Sequence, residues 1–411
     1  MTSLSSLIEK QFAGERLGAI REVAERAAGQ GLRVYLVGGV VRDLLLGRQI
    51  VDIDIVVEGD ALALARALAE TKGWQITGHQ RFGTAKLRRD GTTLDLATAR
   101  LETYSKPGTL PDVRPGAIAD DLRRRDFTIN TMAIEVTPTH FGDIIDTHGG
   151  QADLRQKLVR ILHPQSFIDD PTRIFRAIRY EQRLGFRLEA ETEKLLRRDV
   201  SWLGQVSGDR LRHELELVLK EEAPETALRR AGDLGVLREV HPGLAGNGWL
   251  TERFESARRN GSASTGLYLA LLAYPPQADV ESLIARLRLR REVARVLRDT
   301  QALRRDLQGL AHPEMRPSAA YALLQRYSMI AVRACLLASD DCLVKERLTK
   351  YLDEWRYVKS LLTGDALGKL GVPKGEGVGQ VLEELRRARL DGEVETVEQE
   401  MALVRKWLET H

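Results

Sequence analysis

The chain has few cysteines, no long apolar run and almost no excess of charge. Its 411 residues include two cysteines, Cys335 and Cys342, which are too few for a disulfide framework and lack zinc-binding spacing. Because the sequence contains neither an apolar run of about 18 residues nor a signal-peptide pattern, we expect a cytoplasmic protein without a membrane span. The formal net charge of +3 does not by itself indicate a polyanionic partner.

The most informative stretch, Val34–Val57, begins with a short apolar run that ends at two glycines. The run predicts a buried strand, and the next residues, which include Arg42, predict a helix. Gly38 and Gly39 allow the backbone to approach a ligand, and the N–H groups at the start of a helix favour phosphate. An ordinary tight turn is the alternative, because the Gly-Lys-Ser/Thr of a Walker loop does not follow.

Two aspartates, Asp52 and Asp54, alternate with isoleucine at the second strand of this stretch. A period of two places both carboxylates on one face of the strand, where like charges favour a divalent cation between them. Asp95, in a later predicted strand, is a candidate third carboxylate, either as a metal ligand or as a base near an attacking hydroxyl. Solvated aspartates at strand ends, without a function, are the alternative for all three.

The segment Glu102–Gly116 is rich in proline and glycine and follows the strand that contains Asp95. Its composition predicts irregular structure. A loop of about 15 residues is long for a compact domain and is often functional, for example as a lid over a site. Disorder is the alternative.

Adjacent arginines precede an aspartate and an asparagine in the segment Arg124–Asn130. The two adjacent guanidinium groups, those of Arg124 and Arg125, suit a triphosphate. Asp126 and Asn130 are four residues apart, so on one face of a helix they could meet and bind a ribose. A helix cap and surface charge are the alternative interpretation.

A helix start is predicted at Asp170, with the aspartate as the cap and Pro171 in the first turn. Arg173, Arg176 and Arg179 then recur every third residue. A carboxylate acceptor and a guanidinium donor one turn apart match the edge of adenine or cytosine, which pairs an amine donor with a ring-nitrogen acceptor. A solvated basic face is the alternative.

Three of these motifs occur in an order that resembles a known family. GGVVRDLLLG with DID, then RRDFTINTMA, then DDPTRIFRAIRYEQRLGF are similar to the motifs of class II tRNA nucleotidyltransferases and bacterial poly(A) polymerases, a branch of the DNA polymerase beta superfamily. The resemblance implies an α+β fold. It predicts a catalytic nucleotidyltransferase head with a mixed sheet (1–148), followed by an all-α neck for base recognition (149–225), body (226–340) and tRNA-binding tail (341–411).

The resemblance also implies roles for individual residues. Mg²⁺ would be held by Asp52 and Asp54. The residues expected to bind the incoming nucleotide are Gly38, Gly39, Arg42, Arg125, Asp126, Asn130, Asp170, Arg173, Arg176 and Arg179. The glutamate that usually precedes the base-reading aspartate is Asp169 here, and Pro171 follows the base-reading Asp170. The helix cap and the base-reading aspartate therefore coincide, which leaves the choice between C and A open.

The activity implied by the resemblance is addition of C, C and A to the 3′ end of tRNA from CTP and ATP, without a nucleic-acid template. Addition of only A, only CC or a poly(A) tail uses the same motifs and remains an alternative. A tRNA- or nucleotide-binding protein without catalysis is a further alternative. Retention of Asp52, Asp54, Arg42 and Arg125 argues against it, because a binding module needs no paired carboxylates. The oligomeric state is not predicted.

Overall fold

The computed structural model describes residues 4–79, 83–103 and 112–410. The chain divides into two compact units, one made of residues 1–218 and 233–239 and the other of residues 219–232 and 240–411. The finer division into head, neck, body and tail remains a prediction. In the described ranges, none of the helices combines the length and the apolar character needed to cross a membrane, and Cys335 and Cys342 are both free thiols.

Eleven strands occur in the described residues, all in the first unit. They are β1 (Arg33–Val37), β2 (Ile53–Glu58), β3 (Gln75–His79), β4 (Thr84–Arg89), β5 (Thr92–Thr98), β6 (Arg100–Thr103), β7 (Asp112–Pro115), β8 (Ala133–Glu135), β9 (Ile144–Ile145), β10 (Leu158–Val159) and β11 (Arg187–Leu188).

The α-helices outnumber the strands and account for all the regular structure of the second unit apart from a short 3-10 turn. They are α1 (Leu4–Gln11), α2 (Glu15–Ala28), α3 (Gly39–Leu45), α4 (Ala61–Lys72), α5 (Ile118–Arg123), α6 (Gly150–Gln156), α7 (Ser166–Asp169), α8 (Arg173–Leu184), α9 (Ala190–Asp199), α10 (Gly208–Leu219), α11 (Pro224–Asp233), α12 (Val236–Val240), α13 (Gly248–Arg259), α14 (Thr265–Leu272), α15 (Val280–Leu287), α16 (Arg291–Leu310), α17 (Pro317–Leu324), α18 (Met329–Ala338), α19 (Cys342–Asp353), α20 (Gly364–Lys369), α21 (Glu376–Leu390) and α22 (Val397–Thr410).

A mixed sheet of seven strands, in the order β3-β4-β5-β2-β1-β8-β9, forms the centre of the first unit. Strand β2 pairs antiparallel with β1 and parallel with β5, and its register places Asp54 directly beside Asp95. The turn between β4 and β5 at Asp90 and Gly91 has φ values of 49° and 78°, as expected for the Asp-Gly hairpin turn. The predicted α+β fold with a mixed sheet is therefore confirmed.

Helix α5 is fixed against the sheet by apolar packing. Ile118 and Leu122 of this helix are buried with Tyr35 and Val37 of β1. At its first residue, the backbone N–H of Ile118 donates a hydrogen bond of 2.6 Å to Glu58 Oε1. Because apolar contacts and this bond hold the same short helix, the residues at its C-terminal end have a defined position relative to the sheet.

Two expectations need correction. The segment Glu102–Gly116 is not wholly irregular, because β6 and β7 pair antiparallel from Arg100↔Pro115 to Thr103↔Asp112. Pro115 is tolerated because it lies at the end of an edge strand, where its missing N–H is not needed for pairing. Residues 104–111 lie outside the described ranges. The predicted neck is not entirely α-helical, because β10 and β11 form a short parallel pair.

Within the second unit, the helices enclose two apolar clusters. One contains Leu303, Leu324 and Leu348 among its fully buried residues. The other is built around Leu367 and Val404. Both follow from the apolar positions that recur every three to four residues along these helices.

Candidate active site

A cavity of about 1100 Å³ opens in the first unit and collects most of the predicted site residues. Eleven of the thirteen predicted residues line it: Gly38, Gly39, Arg42, Asp52, Asp54, Arg125, Asp126, Asn130, Asp170, Arg173 and Arg176. Asp95 and Arg179 are not among the lining residues. Segments that are far apart in the sequence therefore meet at one place.

The double-glycine turn forms one wall of the cavity. Gly38 follows β1 with φ of 68°, and a Cβ added to it would lie 2.5 Å from Arg125 Nη1. Two separate reasons favour glycine at position 38: the positive φ disfavours other residues, and a side chain would displace Arg125. Helix α3 begins at the next residue, Gly39, as predicted.

Arg42 reaches from α3 into the cavity and is held on two sides. Its Nε and Nη2 donate to the two carboxylate oxygens of Asp43, at 2.9 and 2.8 Å. Its Nη1 donates to Asn130 Oδ1 at 2.8 Å, and its guanidinium lies 5.2 Å from the ring centroid of Tyr180. These bonds use three of the five N–H groups of the guanidinium, so two donors remain for an anionic ligand.

Asp126 and Asn130 meet as predicted, although not on an α-helix. The chain between them is extended at Phe127 and forms a 3-10 turn at Thr128–Asn130. Asn130 Nδ2 donates to Asp126 Oδ1 at 3.1 Å, and Arg176 Nε donates to Oδ2 at 2.8 Å. The expectation that Asp126 and Asn130 share a face of an α-helix was wrong, because the 3-10 turn between them already brings the two side chains together.

The carboxylate pair lies at the start of β2. Asp54 points into the cavity, and partial burial together with the negative charges of Asp95 and Asp52 raises the pKa of its carboxyl. Asp95 forms an ion pair with Lys86, with 2.7 Å between Oδ2 and Nζ. An unneutralised pair of carboxylates in such a place fits a hard divalent cation, which prefers oxygen ligands. In the described ranges, no group of three His, Cys, Asp or Glu side chains is arranged to hold a metal ion.

The predicted base-reading residues face the same cavity from the opposite end. Helix α8 begins at Arg173 and its N-cap is Thr172, two residues later than the predicted cap, Asp170. Oδ1 of Asp170 accepts hydrogen bonds from the N–H and Oγ1 of Thr172 at 3.1 and 2.7 Å, and from Arg210 Nη2 at 2.7 Å. Arg173 donates to Ser166 Oγ at 2.7 Å and to the carbonyl of Arg124 at 2.9 Å. Both side chains therefore have fixed positions.

The periodicity of α8 explains which of its residues reach the cavity. Each residue turns an α-helix by about 100°, so residue 179 is rotated about 120° from residue 173, whereas residue 180 differs by only about 20°. Accordingly Arg173, Arg176 and Tyr180 line the cavity, whereas Arg179 is buried beside Tyr180, with its guanidinium 5.4 Å from that ring.

Several lining residues were not predicted from the sequence. They are Val40, Asp43, Arg48, Gln49, Ile50, Val51, Arg100, Glu102, Asp112, Val113, Arg124, Tyr180, Arg183, Leu184 and Arg210. Helical spacing after Arg176 could have identified Tyr180 and Arg183. No local signal marks Arg210, which is 40 residues from its partner Asp170.

The cavity carries an excess of positive charge. Nine arginines and seven carboxylates line it, and a divalent cation at Asp52 and Asp54 would neutralise two of the seven. The walls of a cavity have a low dielectric constant and concentrate the electrostatic field of the charges that line it. The balance of charge therefore suits a polyanionic ligand such as a nucleoside triphosphate.

Two family models match the chain. The "Poly A polymerase head domain" matches residues 34–160. The "Probable RNA and SrmB- binding site of polymerase A" matches residues 185–246. Together they cover the cavity-lining residues apart from Asp170 and those of helix α8, which lie between the two matched ranges.

Relatives of known activity align over most of the chain. An A-adding tRNA nucleotidyltransferase of Geobacter sulfurreducens is 34% identical over 97% of this chain and 48% of the relative. A CC-adding tRNA nucleotidyltransferase of Deinococcus radiodurans is 32% identical over 93% of this chain and 91% of the relative. The chain spans about half the length or less of the A-adding relatives it matches.

Solved structures share the fold. The apo form II of a CCA-adding enzyme superimposes with a TM-score of 0.84 and 34% identity, over 98% of both chains. A Thermotoga maritima CCA-adding enzyme complexed with tRNA gives a TM-score of 0.79 and 32% identity, over 99% of this chain and 98% of that one.

Proposed function

Because the chain belongs to the family of tRNA nucleotidyltransferases and poly(A) polymerases, we propose that it adds C and A to the 3′ end of tRNA from CTP and ATP. The 3′-hydroxyl of the RNA attacks the α-phosphate of the nucleotide, and pyrophosphate leaves. Base-edge recognition by protein side chains replaces a nucleic-acid template.

One observation carries the proposal. A single cavity brings together a carboxylate pair at Asp52 and Asp54, phosphate-binding arginines, and the side chains of Asp170 and Arg173. A nucleotide-binding protein without catalysis would need the arginines and the base-reading pair. It would not need two adjacent carboxylates, because their negative charges repel each other and also repel a phosphate. Paired carboxylates are characteristic of metal-assisted phosphoryl chemistry.

The arginines bind the triphosphate in this proposal. Arg42 offers the two N–H groups that Asp43 and Asn130 leave over, and Arg125 lies beside the Gly38 turn. Guanidinium groups that are already held in place lose little further freedom when they bind phosphate, and they stabilise the charge that develops on the leaving pyrophosphate. Gly38 and Gly39 let the phosphates approach the backbone.

The sugar and the base contact the other end of the cavity. Asp126 accepts from Phe127 N–H, Asn130 and Arg176, so it lies beside the sugar chiefly to hold Asn130. Oδ1 of Asp170 already has three donors, which leaves Oδ2 to accept from the exocyclic amine of cytosine or adenine. Arg173 donates to the ring nitrogen of the same base edge.

Enzymes of this family generally depend on a divalent metal, and Mg²⁺ is the ion we propose for this chain, held by Asp52 and Asp54. When bound, Mg²⁺ neutralises phosphate charge and lowers the pKa of a coordinated hydroxyl. Asp95 lies one strand away and pairs with Lys86. We propose that Asp95 positions Lys86 and adds negative charge near Asp54, which favours a cation there.

The test uses three tRNA transcripts that end at the discriminator base, at C and at CC. Each is incubated with Mg²⁺ and with CTP, ATP or both, and products are resolved at single-nucleotide length. Completion of CCA from the shortest transcript is expected. Absence of any extension would contradict the proposal, and long A tails would indicate a poly(A) polymerase.

Addition of A alone is the second candidate. It is favoured by the A-adding relative that aligns over 97% of this chain. The same three transcripts decide between the candidates, because an A-adding enzyme extends only the transcript that ends in CC, by one residue. Arrest after two C residues would instead indicate a CC-adding enzyme.

A further inference from the structure

Asp121 is a fully buried carboxylate next to the cavity that none of the proposed roles uses. Its exposed fraction is 0%, and it is not among the lining residues. It belongs to α5, which packs on the sheet through Ile118 and Leu122. The side chain therefore cannot touch a ligand, but its position is set by the packing of α5 on the sheet.

Each oxygen of Asp121 is bound by a different guanidinium group. Oδ1 accepts from Nε and Nη2 of Arg124, at 3.0 and 2.7 Å. Oδ2 accepts from Nε and Nη2 of Arg125, at 3.2 and 2.7 Å. Two N–H groups of each guanidinium converge on one oxygen, which fixes the orientation of that guanidinium as well as its distance. A single carboxylate therefore orients both arginines.

The pairing determines which edge of each arginine faces away from Asp121. Arg124 uses its Nη1 to donate to Glu102 Oε1, at 3.0 Å, on the β6 strand. Nη1 of Arg125 lies where a Cβ on Gly38 would be only 2.5 Å away. The outward edge of Arg125 is thus directed at the glycine turn, where the phosphates are proposed to bind.

We infer that Asp121 is a positioning residue for the triphosphate, acting through Arg125 and secondarily through Arg124. Arg124 also pairs with Glu102, which Arg100 pairs in turn, so two carboxylates face three guanidinium groups and the cluster stays cationic. Attraction for phosphate therefore persists while the guanidinium groups lose their rotational freedom before the nucleotide arrives. The inference deepens the proposed function and rests on it for the identity of the nucleotide.

Arg124 and Arg125 hold the pKa of the Asp121 carboxyl below its usual value, although burial of the carboxyl raises it. The carboxylate is therefore ionised throughout the neutral range. Substitution by asparagine keeps the size of the side chain, retains one acceptor oxygen and turns an amide N–H₂ towards the other guanidinium. It therefore releases one arginine without creating a cavity.

The experiment compares Asp121→Asn with the wild type in two assays. The first measures KM and kcat for CTP and ATP in the extension of a tRNA transcript. The second measures binding of inorganic tripolyphosphate, without Mg²⁺, by calorimetry. We expect KM and the Kd for tripolyphosphate to rise about tenfold, with a change in kcat of less than about threefold. Values within twofold of the wild type in both assays would overturn the inference.

A matched control is Glu135→Gln. Glu135 is also a buried carboxylate of this unit and binds an arginine, with Arg33 Nη2 at 2.6 Å from Oε2, but it does not line the cavity. It should leave both assays unchanged. Equal losses in the control and in Asp121→Asn would show a general effect of removing buried charge and would overturn the inference.

A double substitution tests whether Asp121 acts through Arg125. In the background of Arg125→Ala, adding Asp121→Asn should change KM less than twofold, because the group to be positioned is gone. A full tenfold effect in that background would contradict the inference. Should Asp121→Asn fail to fold, Asp121→Glu keeps the charge but moves the carboxylate by one methylene, and an unchanged KM there would overturn the assignment.

Failure of the proposed function gives a different pattern. If the wild type transfers no nucleotide, the proposed activity is contradicted, whereas the tripolyphosphate assay still tests Asp121. If the wild type transfers nucleotide and Asp121→Asn does so with the same KM and the same tripolyphosphate Kd, only the inference on Asp121 fails.

Discussion

Asp126 and Arg176 form an ion pair, with 2.6 Å between Oδ2 and Nη2, that connects the segment after α5 to helix α8. The pair crosses 50 residues of sequence and joins the proposed sugar-binding and base-reading parts of the cavity. The neighbouring guanidinium holds the pKa of the Asp126 carboxyl below its usual value although burial of the carboxyl opposes this.

Asp126→Asn should lower the free energy of unfolding by about 2 kcal/mol. Breaking a fully buried ion pair costs about 3 to 5 kcal/mol, but 38% of the Arg176 side chain is exposed, so water can solvate the arginine that remains. Urea unfolding measures the change. Glu191→Gln is the control, because the Lys194–Glu191 pair is exposed and its loss should cost less than about 0.5 kcal/mol. Equal effects of both substitutions would contradict the prediction.

Stability should fall in acid because of Asp121 and Asp126. The folded-state pKa of each carboxyl is lowered, so their stabilisation is complete above the unfolded pKa of about 3.9 and is lost as the pH falls through the folded values. Thermal unfolding followed between about pH 6 and pH 2 should show this decline. Asp126→Asn should make the decline shallower, and an identical pH profile for the variant would argue against a role of this carboxylate.

Asp52→Asn and Asp54→Asn should each reduce nucleotide addition by at least about a thousandfold without unfolding the protein. The side chain of Asp54 lies near two other carboxylates, and its charged form is disfavoured by burial. A neutral amide should therefore leave the melting temperature of the metal-free protein unchanged or higher. Extension assays and calorimetry measure the two effects. Asp143→Asn, at an exposed position that does not line the cavity, should change neither.

Gly38→Ala and Gly73→Ala should separate backbone strain from crowding of the site. Both glycines have positive φ, 68° and 71°, but ψ is 22° at Gly73 and −124° at Gly38. Alanine should therefore cost about 1 to 2 kcal/mol of stability at Gly73 and about 1 to 3 kcal/mol at Gly38. Only at Gly38 would the new Cβ displace a side chain, that of Arg125, because no atom lies within 4 Å of a Cβ at Gly73. KM for CTP and ATP should rise at least tenfold in Gly38→Ala alone. Similar KM values in the two variants would show that Arg125 can move without consequence.

The local parts of the site could be predicted from the sequence because they depend on short-range geometry. The strand before Gly38, the helix that carries Arg42 and the alternate aspartates at β2 all follow from backbone periodicity and the properties of glycine. The face of α8 was predicted only in part, because a repeat of three residues departs from the helical period of 3.6. Tyr180, four residues after Arg176, was therefore missed, and Arg179, expected to bind the nucleotide, lies buried beside Tyr180 and is not among the lining residues.

Long-range pairs could not be predicted in this way. Arg42 bonds Asn130, 88 residues away, and Arg210 bonds Asp170 across 40 residues. The chain contains 62 lysine and arginine residues and 59 acidic ones, so charge alone allows a very large number of partners. The tertiary packing of the elements that carry these residues selects among them.

The sequence by itself determined the local chemistry of this protein: a strand, a glycine turn, paired carboxylates and arginines in an order that indicates a nucleotidyltransferase. Only the tertiary structure decided which of these groups share a cavity and which of their atoms remain open to a ligand. The reason is physical. Backbone periodicity acts over a few residues, whereas a buried carboxylate such as Asp121 is satisfied by whichever donors the packed elements bring within hydrogen-bonding distance.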